Sequence, residues 1–178
     1  MRALLLLPLF ACAVEDPDGK RGPDGDPGTT EPTIPYVTPP DPWVEQGDGD
    51  DQHVPCDPGQ ETPLFYGAQG GFHVNVSLKP WHLGDIVWVG ADVYLDGERI
   101  GGREGGAVML VDFDEARQTG WIAGIEAQMP VDVGCALDGV EIEVCGSVED
   151  AFDRSRGAET CMPLVARMVE RPAVCDTL

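Results

Sequence analysis

The sequence predicts an all-β domain of the immunoglobulin-like two-sheet β-sandwich type. Three observations lead there: short apolar runs alternating with polar residues from about residue 53 onward, glycine-containing turns between them, and no stretch with capped helical periodicity. Seven or eight strands in roughly 120 residues is the count and spacing of such a sandwich. A small barrel is the alternative architecture.

In chain order, Leu64 to Tyr66 forms a first short strand. Phe72, Val74, Val76 and Leu78 then share one face of a second strand, and His73, Asn75, Ser77 and Lys79 share the other. From Ile86 to Leu95, Val87, Val89, Ala91, Val93 and Leu95 lie on one face, and Asp96-Gly97 turns the chain into Glu98 to Ile100. Further strands are Val108 to Phe113, Trp121 to Met129, Val140 to Val148 after the Asp138-Gly139 turn, and Met162 to Met168. Between Val148 and Arg156 there is room for one helical turn in a loop.

Ahead of this domain the composition differs. Met1-Arg2 is followed by an apolar run ending at Cys12, too short for the roughly 20 residues a membrane span needs but of the length of a secretory signal. The quartet Leu9-Phe10-Ala11-Cys12 resembles the lipobox of bacterial lipoproteins, which implies cleavage before Cys12 and acylation of that cysteine. Residues 1–11 are therefore expected to be a signal peptide. Residues 12–52, rich in Asp, Gly, Pro and Thr and poor in apolar side chains, are expected to be a disordered, extended tether. Residues 53–178 form the sandwich. Glycines 19, 22, 25 and 28 repeat every third residue, too briefly for a collagen helix, and the Asp-Gly-Asp runs lack the remainder of an EF-hand loop.

The net charge is −21; residues 13–55 carry −9 and residues 56–178 carry −13. That field repels phosphate backbones, so nucleic acid is excluded as a partner, and it disfavours anionic membrane surfaces. The membrane contact expected is the lipid itself. Ala13 follows the lipidated cysteine where an aspartate would retain such proteins at the inner membrane, which places the chain at the outer membrane of the cell envelope.

Once Cys12 is acylated, five cysteines remain for an oxidising compartment: Cys56, Cys135, Cys145, Cys161 and Cys175. Cys145 ends one strand and Cys161 opens the next, making them the first expected bridge. Cys56 and Cys175 would staple the domain's ends, leaving Cys135 as the spare thiol; Cys135 facing Cys145 across a hairpin is the competing arrangement. No Cys-x-x-Cys redox pair occurs.

One segment has the character of a signature, Tyr66-Gly67-Ala68-Gln69-Gly70-Gly71-Phe72-His73-Val74. It resembles a Gly-x-Gln-Gly-Gly-aromatic-His run in uncharacterised lipoproteins of predatory and fruiting delta-type bacteria, where it opens a β-sandwich domain. The resemblance covers mainly residues 64–95 and implies architecture and location, with no known activity. Read from the residues, Gln69 and His73 tie this turn to a neighbouring strand by hydrogen bonds, or with Trp88 contribute to a ligand site.

Other constellations are weaker. His53, His73 and His82 are enough for an open zinc or copper site, and His53-Val54-Pro55-Cys56 has a chelating spacing, but Cys56 is wanted for a bridge and His82 sits past the Pro80 turn. Asp112 and Asp114 share a strand face and have the residue types of a hydrolase's acid and base, although paired carboxylates on an acidic domain usually form a solvated edge. Trp43, Trp81, Trp88 and Trp121 could stack on carbohydrate, with Trp88 opposite its strand's apolar face. No catalytic motif is present. The expectation is a non-catalytic module acting by binding or structural display, with a protein or glycan partner and no cofactor; a metal-binding protein and a hydrolase are the alternatives.

Overall fold

A computed structural model describes residues 39–178; the expected signal peptide, Cys12 and the expected linker through residue 38 lie outside them. The strands are β1 (Trp43–Asp48), β2 (Val54–Pro55), β3 (Glu61–Tyr66), β4 (Phe72–Trp81), β5 (Ile86–Leu95), β6 (Glu98–Met109), β7 (Val111–Asp114), β8 (Thr119–Met129), β9 (Glu141–Asp150) and β10 (Gly157–Met168). A five-residue helix, α1 (Val131–Cys135), and a 3-10 turn (Ala173–Asp176) complete them.

The all-β expectation holds, but the strands do not separate into two sheets. Their hydrogen-bonded order runs β3-β10-β9-β5-β6-β8 and returns through β4 to β3, closing a seven-stranded barrel with β1, β2 and β7 as additions. Alternation of apolar and polar side chains is the same in a sandwich and in a barrel, so the strand patterns could not choose between them. Closure comes from β4, which pairs with β8 from Phe72↔Met129 to Trp81↔Thr119 and with β3 at Phe65↔His73 and Tyr66↔Phe72.

The inward faces fill the barrel. Phe72, Val74, Val76 and Leu78 from β4 and Val87, Val89, Ala91 and Val93 from β5 are buried, as their alternation predicts. Ile125 and Ala127 of β8, Ile142, Val144 and Val148 of β9, and Leu164 and Ala166 of β10 join them. A register shift between Val76 and Leu78 puts Ser77 as well as its neighbours out of water. On β9, Gly146 is kept small by Leu78, whose side chain would overlap an added Cβ.

Three boundaries differ from expectation. The domain starts before residue 53: β1 lies within the expected linker, pairing from Trp43↔Trp81 to Gly47↔Ser77. Its six residues carry one aliphatic side chain, too little for a periodic signal. β6 continues past Ile100 to Met109 through Gly101, Gly102, Gly105 and Gly106, which weaken a strand pattern; the first three sit where an added Cβ would overlap a neighbour, Gly101 against Gln128 and Met129. The Val108 to Phe113 run is consequently divided between β6 and β7, with buried Leu110 between them. No helical turn forms between Val148 and Arg156; β9 runs to Asp150 and a tight turn follows.

Cys145 and Cys161 form the expected bridge, directly opposite one another on β9 and β10 with Cα atoms 4.0 Å apart. The second bridge is Cys135–Cys175, not Cys56–Cys175, and Cys135 is not the spare thiol. Helix α1 supplies the reason: it follows β8 directly and carries Cys135 to the C-terminal 3-10 turn, with Cα atoms 5.3 Å apart. Cys56 is instead buried against β1, its backbone N–H and thiol both directed at the Gln46 carbonyl. Burial, with the Asp48 and Asp57 carboxylates adding, pushes this thiol up to about 11, so it is protonated and unreactive at neutral pH.

Two predictions follow from the packing. In α1, Gly134 is buried, and a Cβ there would overlap the Phe72 ring. Gly134→Ala, a favourable change in most helices, should lower stability by roughly 1 to 3 kcal/mol through overpacking in urea unfolding; a variant as stable as the native chain would contradict it. Asp150 accepts backbone N–H bonds from Phe152 (2.9 Å), Asp153 (3.1 Å) and Gly84 (3.1 Å), joining the β9–β10 turn to the β4–β5 loop. Burial raises its carboxyl, but these N–H groups and the Arg156 charge outweigh it and hold the carboxyl below its ordinary value. The carboxylate therefore stabilises the fold above the unfolded-state value of about 4 and loses that contribution as pH falls through the lower folded value. The stability difference between the native chain and Asp150→Asn should shrink from pH 7 to pH 2; a constant difference would contradict it.

Candidate functional site

The signature segment forms the β3–β4 hairpin loop. Gly67 N–H donates to the Gly71 carbonyl at 2.8 Å and Gly70 N–H to the Gly67 carbonyl at 3.0 Å, while Gly70 takes a positive φ of 82° that favours glycine. The backbone closes this turn by itself. Gln69 and His73 were expected to tie it to a neighbouring strand, but neither side chain hydrogen-bonds another described residue.

What the loop does is wall a cleft of about 600 Å³ at one end of the barrel, lined by Gln69, His73, Glu126, Gln128, Met129 and Pro130 among others. The strand register assembles it. His73 on β4 lies opposite Gln128 on β8, and Asn75 opposite Glu126, so four planar polar side chains form a block on the outer face of one ladder. Gln128 Nε2 donates to Glu126 Oε2 at 3.3 Å. The His73 ring stacks on Phe65 with centroids 5.6 Å apart. Among the described residues no lysine or arginine lines the cleft. The strand alternation of β8 placed Glu126 and Gln128 on its polar face, but only the pairing with β4 made them neighbours of His73.

The other candidates are held elsewhere. His53 sits between β1 and β4, with Nδ1 2.9 Å from Ser77 Oγ and Nε2 3.1 Å from Glu45 Oε1. These are the residue types of a nucleophile relay, yet Ser77 is fully buried and its hydroxyl donates to the Asp48 carbonyl at 2.9 Å. The arrangement pins the β1–β2 connection to β4. His82, with φ 63°, places Nδ1 2.9 Å from the Asp41 carbonyl. The three histidines thus occupy three separate environments. Among the described residues the one cluster with metal-ligand spacing is Glu143, Cys145 and Cys161, whose sulfurs are bonded to each other.

Asp112 accepts from Trp121 Nε1 at 3.3 Å, and Asp114 caps the β7–β8 turn through Ala116 N–H and Arg117 N–H. They are turn residues, not a facing acid and base. The tryptophans form no common platform: Trp43 and Trp81 stack on each other with centroids 3.7 Å apart. Trp88 is on its strand's outer face, as expected, but half-buried beneath Arg154, which lies 4.7 Å from its ring centre and pairs with Glu149. Trp88 therefore does not join Gln69 and His73.

Compared with models of known protein families and with curated proteins, the chain matches none. Its function is read from the site alone.

The pinning role of His53 is testable. His53→Ala removes a buried side chain that meets both Ser77 and Glu45, and should cost roughly 1 to 3 kcal/mol in urea unfolding. Chemical shifts of Gln69 and Gln128 should be unchanged; a shift at the cleft would mean the two regions are coupled.

Proposed function

We propose that this chain is a lipid-anchored envelope protein, held at the outer membrane through Cys12, whose barrel is a non-catalytic binding module with its ligand in the Gln69–His73–Glu126–Gln128 cleft. The observation that carries the reading is the cleft itself: polar side chains with unused hydrogen-bonding capacity converge on a concave surface, the usual form of a small-ligand site. Elsewhere the side chains capable of chemistry are committed to structural partners, as with Ser77, His53, Asp112 and Asp114.

The placement suits display. β4 begins at the cleft with Phe72 and ends at Trp81, which pairs with Trp43 where the preceding chain enters the barrel. Its ten residues separate the two by about 30 Å at the usual strand rise. The described chain enters the barrel beside Trp43, at the end of β4 away from the cleft.

Two measurements test the two halves of this reading. The native chain should fractionate with outer membranes and carry an acylated Cys12 by intact mass, while Cys12→Ser should be released into the soluble fraction; equal fractionation of both would refute the anchor. For the cleft, NMR titration of the Cys12→Ser chain with envelope-derived small molecules should move resonances of Gln69, His73, Glu126 and Gln128 together. Perturbation confined to another surface would refute the site.

A further inference from the structure

Resting on the reading of the cleft as a binding site, we infer that it takes a neutral oligosaccharide. Charge narrows the choice first. Among the described residues the cleft contains the Glu126 carboxylate and no lysine or arginine, on a region, residues 56–178, of net charge −13, which repels anionic ligands. A cationic peptide would call for several carboxylates, whereas the cleft offers one, already accepting from Gln128.

The remaining side chains suit hydroxyl groups. The amides of Gln69 and Gln128, the imidazole of His73 and the carboxylate of Glu126 are planar groups presenting donors and acceptors side by side, a pattern matched by adjacent sugar hydroxyls. Aromatic surface lies alongside. Tyr66, which directly precedes the cleft residue Gly67, is 42% exposed, its ring tilted against Phe72 at 5.2 Å. An aromatic face of this kind accepts the C–H face of a pyranose while its neighbours bind the hydroxyls.

Tyr66 also argues for more than one sugar unit. A second depression, about 290 Å³, is lined by Phe65, Tyr66, Val169, Glu170 and Pro172, and Tyr66 is followed directly in the chain by Gly67, which lines the first. A linear chain crossing Tyr66 would occupy both. The stacked Trp43–Trp81 pair is the weaker candidate for this ligand, because each indole covers one face of the other.

The test uses the full chain carrying Cys12→Ser, titrated by calorimetry and NMR with chitohexaose and cellohexaose as neutral probes, hexalysine as the cation and dextran sulfate as the anion. At least one neutral probe should bind and shift Gln69, His73, Glu126 and Gln128. His73→Ala and Gln128→Ala should each weaken it by about tenfold, the loss of one or two hydrogen bonds to a hydroxyl. Tyr66→Ala should weaken it comparably and Tyr66→Phe should not, since stacking needs the ring alone; unchanged unfolding curves establish that the variants are folded. Failure of both neutral probes at millimolar concentration, or binding indifferent to these variants, overturns the saccharide assignment. If hexalysine or dextran sulfate shifts the cleft instead, the ligand class fails while the binding site stands; if no probe shifts it, both readings fall.

Discussion

Strand β4 is hydrogen-bonded along both edges, to β8 on one side and to β3 and β1 in succession on the other. That double pairing turns a row of strands into a ring. A strand edge left open would expose unpaired N–H and C=O groups, and closure removes that exposure while enclosing Phe72, Val74, Val76 and Leu78 among the inward faces of the other strands. The sparsest joint of the ring is β6 with β8, through the single register pair Gly102↔Gln128, where Gly101 permits the close approach. The extent of β4–β8 pairing therefore matters to the whole domain.

The covalent links reinforce different parts of this ring. Cys145–Cys161 ties β9 to β10 within the barrel wall. Cys135–Cys175 holds α1 and the C-terminal turn together at the end where Phe72 and Gly134 pack. A closed loop of this length contributes roughly 2 to 4 kcal/mol by restricting the unfolded chain. Asp150 does comparable joining work at the other end without a covalent bond, linking two turns through three backbone N–H groups.

The same closure produces the cleft. His73 and Asn75 face Glu126 and Gln128 because β4 and β8 pair in one register, and a slip of one residue would turn all four away from each other. Stability and site thus rest on one ladder: the inward residues of β4 fill the barrel and the outward residues carry the polar block. Histidine, serine and carboxylate groups along β1 and at the turns are drawn into holding those elements, which leaves unused hydrogen-bonding capacity at the cleft.

Strand positions, their inner and outer faces and the Cys145–Cys161 bridge were legible in the sequence, because each depends on residues near one another in the chain. Gln69 and His73 were legible as a pair through the glycines around them. Glu126 and Gln128 were not, since they lie more than fifty residues away and become neighbours only by strand pairing. β1 was hidden because Trp43–Asp48 is held as a strand by its pairing with β4 and not by its own apolar content. The disulfide partner of Cys175 depended on α1, five residues with no periodic signal. By itself the sequence determined an acidic, all-β, cysteine-bridged domain and which side chains face inward. Tertiary structure alone decided barrel over sandwich, the second bridge and the cleft, because period-two alternation is local whereas the choice of edge partners is made by the whole set of strands at once.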